Sequence, residues 1–393
     1  MSEVGSILRA YERAWRAGRA AALASVVSAR GSTYRRIGAH MLVSEDGEVT
    51  GAISGGCLER DVCRHAMWVL QSGEPKHLVY DSTGDDEDAE DPFALGCNGV
   101  VEVWVERLLP DDATMTFVAG CLRERQSGIV ATVFASGPEA AICSGSRLLW
   151  CPGQVPRALG FEDSEQAQVL THGARSVLAS GISSTRTWGA GAQRVAVCFE
   201  IVEPPLQLAI FGGGYDAVPV AALAKTVGAT VIVVDPRPGH ATRTRFPRAD
   251  RLIVAPPQAA VDALGLDGNS LAVVMNHNYR QDLAALEVLL PTPILYLGVL
   301  GPKPRTGRLL ADLAAKGIAA TRTQLARVYS PAGLDLGAET PGEVALAIVA
   351  EMKAVLADRS GGPSRERAGS LHQHTEPIFD PERSHADPIS CSI

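Results

Sequence analysis

The chain has 393 residues, 46% of them hydrophobic and 20% charged, with a mean hydropathy of +0.08, which is room for two or three folded domains with sizeable cores. A formal net charge of −8 and a pI near 5.6 argue against general binding to nucleic acid or to an anionic membrane. The eight cysteines contain no C-x-x-C pair and are too sparse for a disulfide scaffold, so neither a zinc ribbon nor a thioredoxin-like motif is present. The opening MSEVGSILRAYERAW is amphipathic and charged, with no signal-peptide core, and no apolar run reaches membrane-spanning length. A cytoplasmic protein with reduced thiols is expected.

Val4 to Arg16 carries a helical stripe of Val4, Ile7, Leu8, Tyr11 and Trp15. Ala21 to Ser28 reads as a strand that runs into Gly31-Ser32-Thr33-Tyr34-Arg35-Arg36. His40 to Ser44 and Val49 to Ile53 form a hairpin across Glu45-Asp46-Gly47. The chain then enters Ser54-Gly55-Gly56-Cys57-Leu58-Glu59, and a helix follows from Leu58 to Leu70, ended by Gly73. A strand at Leu78 to Tyr80 precedes an acidic loop, Gly84 to Asp91, then Gly96-Cys97-Asn98-Gly99 and a strand from Val100 to Glu106. Pro110 marks a boundary. Residues 112–204 mix a short helix, strands such as Ile129 to Phe134 and Arg194 to Ile201, and loop sequence, without a motif.

After Pro204-Pro205 the pattern sharpens. Leu208 to Phe211 is a buried strand, Gly212, Gly213 and Gly214 follow at once, Ala217 to Val227 is helical, and Thr230 to Val234 is a second strand ending on Asp235. Strand, glycine turn, helix, strand and acid, with Gly212, Gly214 and Ala217 in G-x-G-x-x-G/A spacing, describe a mononucleotide-binding unit. The helix N-terminus there suits a phosphate, and Asp235 stands where a ribose partner is expected. Further strands at Leu252 to Val254, Leu271 to Met275 and Ile294 to Leu297 complete a doubly wound sheet. A last helix starts at Thr340-Pro341-Gly342-Glu343 with a capping box. The expected class is α/β: an N-terminal α+β domain with cysteine turns over 1–109, a mixed α/β middle segment over 110–204, a Rossmann-like parallel sheet over 205–358 and a disordered tail over 359–393.

Cys57 follows two glycines where a helix begins, a setting that favours a thiolate able to act as nucleophile, sulfur carrier or soft-metal ligand, or else a small space-filling residue. Cys97 has a similar glycine-bracketed setting. Cys63, Cys121, Cys143, Cys151 and Cys198 read as structural. Arg35 and Arg36 are anion-binding candidates or a solvated pair. His277 lies at a strand's C-terminal end, where open α/β sheets collect ligands. Lys303 and Arg305 flank a glycine turn and form a second possible phosphate site.

Several blocks together resemble one family. GSTYRRIGAHMLVSEDGEVTGAISGGCLERDV and FALGCNGVVEVWVERL are similar to the two cysteine motifs of the XdhC/CoxI family. LAIFGGGYDAVPVAALAKTVGATVIVVDPRP, RFPRAD, VVMNHNYRQD, YLGVLGPKPRT and GLDLGAETPGEVALAIVAE are similar to its Rossmann domain. Asn98-Gly99 after the second cysteine and the tail RSGGPSRERAGSLH point to the CoxI branch. Tyr215 stands where the family often has histidine. The resemblance implies a protein that binds the molybdenum cofactor (molybdopterin type), protects it during sulfuration and inserts it into a molybdenum hydroxylase of the xanthine dehydrogenase or carbon monoxide dehydrogenase type. Implied partners are a cysteine desulfurase, a second copy of the chain and the large subunit of the apo-hydroxylase. On that basis Gly55, Gly56, Cys57 and Cys97 form one half of the cofactor site, the two thiols contacting molybdenum or its sulfur. Gly212, Gly213, Gly214, Asp235 and His277 form the other. The implied role is binding and insertion without classical turnover. The alternatives are an NAD(P)-dependent oxidoreductase with Cys57 as a reactive thiol, and a redox or regulatory protein that senses nucleotide.

Overall fold

A computed structural model describes residues 3–82 and 99–366; Cys97 and the acidic loop lie outside the described residues, as does the tail from residue 367. The chain divides into two compact units whose larger segments are Ile7–Glu203 and Pro204–Gly362.

The first unit holds α1 (Glu3–Arg16), β1 (Ala21–Gly31), β2 (His40–Ser44), β3 (Val49–Gly51), α2 (Glu59–Ser72), β4 (Lys76–Asp81) and β5 (Gly99–Leu108). These strands make an antiparallel sheet in the order β3-β2-β1-β5-β4. Next come α3 (Ala113–Glu124), β6 (Gly128–Ser136), β7 (Arg147–Trp150), β8 (Arg157–Leu159), α4 (Ser164–Ser180), β9 (Ser184–Trp188) and β10 (Val195–Val202). Their sheet runs β8-β7-β6-β10-β9, again antiparallel throughout. Element for element, the second half repeats the helix, three strands, helix, two strands of the first, with the same strand order. The motif-free middle segment is therefore a second copy of the N-terminal fold.

The period of two along each strand assigns its faces. Val103 and Val105 pack with α2, whereas Trp104 between them joins Val27, Phe134, Ala196 and Cys198 in a core between the sheets. Val197 and Phe199 face α4, and Ala196 and Cys198 face the other sheet. The two sheets thus stack, each with its long helix outside. Polar ties cross the stack: His40 Nε2 lies 2.7 Å from Glu200 Oε1, Arg147 pairs with Glu106, and His77 meets Phe134 edge to face at 5.3 Å. Gly173, in mid-helix, reads as a breaker. A Cβ there would stand 2.6 Å from the Phe199 ring, so the glycine lets α4 lie close on its sheet.

The second unit comprises β11 (Gln207–Phe211), α5 (Ala217–Thr226), β12 (Thr230–Val234), β13 (Arg251–Ile253), α6 (Pro257–Leu264), β14 (Ser270–Val274), α7 (Tyr279–Leu289), β15 (Tyr296–Val299), α8 (Lys303–Ala315), α9 (Arg322–Leu325), β16 (Val328–Tyr329) and α10 (Pro341–Leu356). Its six parallel strands run β13-β12-β11-β14-β15-β16, the doubly wound dinucleotide-fold order. Both faces of β11 are buried, Leu208 and Ile210 on the α5/α10 side and Ala209 and Phe211 on the side of α6, α7 and α8, as a central parallel strand requires. The RFPRAD block serves this core: Lys225, on α5, donates to both Asp250 carboxylate oxygens at 2.9 and 2.7 Å, and the Val231 N–H donates to Oδ2. No helix among the described residues is long and apolar enough to cross a membrane.

Candidate functional site

In the first unit the turn between β3 and α2 carries the exposed Cys57. Gly56, at φ +114°, needs the freedom of glycine. Beneath the turn, Ser54 is 8% exposed and its Oγ accepts N–H bonds from Gly56 and Leu58, each at 3.1 Å, with the Cys57 thiol at 3.5 Å. Ser54 Oγ in turn donates to Glu59 Oε2, and the Ser54 N–H donates to Glu59 Oε1 at 2.8 Å. Burial works to raise the Glu59 pKa, but the two Ser54 donors outweigh it and hold the carboxyl below its ordinary value. The helix start that presents the thiol is thus braced from inside, in the manner of a capping side chain.

Tyr34 covers the same turn. A Cβ built on Gly55 would approach Tyr34 Cγ, Cδ1 and Cδ2 almost equally, at 3.5–3.6 Å, which places the turn over the face of the ring. Tyr34 is nevertheless 71% exposed, so its ring is also open to solvent. The motif glycine Gly99 closes on the same loop: its Cβ would lie 2.6 Å from Ser32 O and 2.7 Å from Arg30 O. Loop 31–36, the Gly55-Gly56-Cys57 turn and the entrance to β5 therefore converge. Ser54, Glu59 and Tyr34 were not singled out by sequence; the glycine neighbours alone could have flagged them. Among the described residues no group of three or more His, Cys, Asp or Glu side chains is placed to hold a metal ion.

In the second unit the strand order reverses between β11 and β14, where a ligand crevice is expected. The glycine turn opens there. Gly212, at φ +118°, would put a Cβ 2.5 Å from Met275 O, so only glycine lets the two strand ends meet. Asp235 does not stand open beside the turn. It is fully buried, and its oxygens accept from the Gly213 N–H at 2.7 Å, the Arg237 N–H at 2.8 Å, Arg237 Nε at 2.9 Å and Arg237 Nη2 at 2.7 Å. The carboxylate expected to meet a ribose is enclosed, and it also takes the Gly213 N–H expected to meet a phosphate. At the start of α5, His277 Nε2 lies 2.6 Å from Asp216 Oδ2, while Asp216 Oδ1 is buried with no hydrogen-bond partner among the described residues. His277 holds a left-handed backbone at φ +56°, a conformation uncommon outside glycine.

The Lys303/Arg305 pair separates. Arg305 is bound to the buried Asp282 at 2.6 Å, whose other oxygen accepts from the Asn276 N–H and Nδ2 at 3.1 and 2.9 Å. This triad ties α8 to the end of β14. Lys303 is exposed at the first position of α8.

The model of the XdhC and CoxI family matches residues 14–81, and that of the XdhC Rossmann domain matches residues 208–352. A probable xanthine dehydrogenase subunit of Bacillus subtilis (strain 168) is 30% identical over 333 residues, 84% of this chain and 92% of that protein. The molybdenum cofactor insertion chaperone PaoD of Escherichia coli (strain K12) is 24% identical over 351 residues, 89% of this chain and 88% of that one. Among solved structures, a xanthine dehydrogenase from Bacillus halodurans superposes with a TM-score of 0.71 at 27% identity, covering 93% of this chain and 99% of that chain.

Proposed function

Because the chain belongs to the XdhC and CoxI family, we propose that it is a maturation chaperone that carries the molybdenum cofactor as cargo, shelters it while its terminal sulfur ligand is installed, and inserts it into an apo molybdenum hydroxylase of the xanthine dehydrogenase or carbon monoxide dehydrogenase type. The observation that carries this reading is the exposed Cys57 thiol, held on a glycine turn whose Gly55 lies against a solvent-open aromatic ring. A soft sulfur ligand suits molybdenum or its exchangeable sulfur once the thiol proton has left to solvent. The face of Tyr34 suits the flat pterin. Gly55 and Gly56 leave that approach clear of side chains.

Within the second unit, taken by itself, Lys303 at the start of α8 offers a charge to an anion, and the paired His277 and Asp216 offer hydrogen-bonding groups. Gly212 to Gly214 and Asp235 shape the crevice. The oxidoreductase alternative loses its main support at Asp235, whose oxygens are already saturated. A cysteine desulfurase as sulfur donor, and action as a homodimer, complete the proposal.

The test is to produce the chain in cells that make the cofactor and to measure bound molybdenum and pterin, wild type against Cys57→Ala. The expected result is cofactor on the wild type and loss of most molybdenum from the variant. A wild-type protein free of pterin that instead saturates with NAD at micromolar levels would overturn the proposal.

A further inference from the structure

In the second repeat a pocket opens among the counterparts of the elements that surround the cysteine turn in the first. In the first repeat the β1–β2 loop, the start of α2 and the entrance to β5 converge. Their counterparts in the second repeat are the β6–β7 loop, the start of α4 and the β9–β10 loop, and these line an open pocket of about 320 Å³. The closure is built in the same way. Gly31 pairs with Gly99 at the mouth of the first site, and Ser136 pairs with Val195 at the mouth of the second. As Gly99 presses on the backbone of loop 30–33, Gly137 presses on Ala192 O, and the Glu139 N–H donates to the same oxygen at 2.9 Å. Counting back from the paired residues, Gln193 stands two before Val195, as Cys97 stands two before Gly99.

The linings differ in chemistry. The turn before α4, Gly160 to Asp163, contains no cysteine, so no thiol approaches from the side that Cys57 occupies in the first repeat. Ile142, Leu170 and Trp188 give apolar walls, and Glu139, Gln166 and Gln193 supply the polar groups. The Trp188 indole is held edge-to-face on Phe199 at 5.9 Å. Among the described residues, Glu139 alone brings a formal charge to the lining. A phosphate or other anion is therefore disfavoured, whereas an uncharged flat ring with N–H donors suits a carboxylate, two amides and an indole. The volume fits a bicyclic ring.

We propose that the second repeat holds a separate small-molecule site for an uncharged planar N-heterocycle of purine or pterin size. It does not depend on the cofactor reading, because none of its residues is a thiol or belongs to the Cys57 turn.

The test titrates pterin, hypoxanthine and guanosine monophosphate separately into the full chain, followed by calorimetry. Pterin or hypoxanthine is expected to bind, and the charged nucleotide to bind at least about tenfold more weakly, because of Glu139. Ala140→Leu, which fills the wall, is expected to weaken binding by about tenfold or more, and Glu139→Gln by about three- to tenfold. Glu139 is exposed, so Glu139→Gln decides the matter if Ala140→Leu fails to fold. No binding of either neutral ring at millimolar concentration, or binding indifferent to Glu139→Gln, would overturn the proposal.

Discussion

Asp235→Ala separates two roles for the acid after β12. As a ribose partner it would matter to ligand affinity and little to stability. As a brace it should do the reverse. The side chain is fully buried and takes four N–H donors. Truncation leaves the Gly213 N–H without its acceptor, while Arg237, with a side chain 42% exposed, can turn to water. One orphaned buried donor and the lost charge-assisted bonds together cost about 3–5 kcal/mol. For a unit of this size that lowers its thermal transition by about 6–20 °C. The pH dependence carries a second signature. Burial works to raise the Asp235 pKa, yet the Arg237 and Gly213 donors outweigh it and hold the pKa below its ordinary value. The stabilisation is therefore complete above the unfolded-state pKa, about 3.9, and is lost as pH falls through the lower folded-state value. Calorimetric melting of wild type and Asp235→Ala from pH 7 down to pH 2.5 should show curves that converge at the acid end. A variant that melts within about 2 °C of wild type at pH 7, yet binds NAD more weakly, would refute the brace and restore the ribose reading.

Ser54→Ala removes the acceptor of the Gly56 and Leu58 N–H groups and one donor to Glu59, and should cost about 2–4 kcal/mol in chemical denaturation; Ser54→Thr, which keeps the oxygen, should recover most of it. Thiol labelling of the native chain should find Cys57 and Cys143 fast, each serine variant removing one equivalent. Cys121, pushed up to about 12 by burial, and the buried Cys151 and Cys198, raised for the same reason, should react only on unfolding. Tyr34→Ala should weaken pterin retention by about 5- to 150-fold, the range of one aromatic stack, and Tyr34→Phe should not. Equal retention by Tyr34→Ala and wild type would remove the ring from the site while leaving the cofactor reading standing.

What the sequence shows and what it hides divide along physical lines. The Rossmann unit is legible because parallel strands buried on both faces leave unbroken apolar runs, and because Gly212 and Gly213 stand where backbone meets backbone. The Cys57 turn is legible because two glycines mark it, Gly56 with a positive φ that glycine adopts freely. The roles of Asp235 and Arg305 are not, since an acid or a guanidinium reads alike whether it faces a ligand or a buried partner. Arg237 and Asp282 decide the matter, and both are ordinary surface-type residues in a one-dimensional pattern. The second repeat hides more thoroughly. Its strands β7 and β8 span four and three residues, too short for a period-two signal, and Gly173 interrupts the helix that would otherwise announce it.

That concealment has a functional side. Both repeats keep the same closure of one loop on another and the same stacked core, while the turn before the long helix carries Gly55-Gly56-Cys57 in one and Gly160-Phe161-Glu162-Asp163 in the other. Asp163 caps α4 by accepting the Glu165 N–H at 2.8 Å, an ordinary helix start. In the first repeat a serine two residues before Gly56 does the capping from below, which frees the exposed position for a thiol. The two corners thus differ in where the capping oxygen sits, on the N-cap Asp163 in one and on Ser54, three residues before the exposed Cys57, in the other. Placing Ser54's partner Glu59 on the helix keeps that corner rigid without filling the space above it.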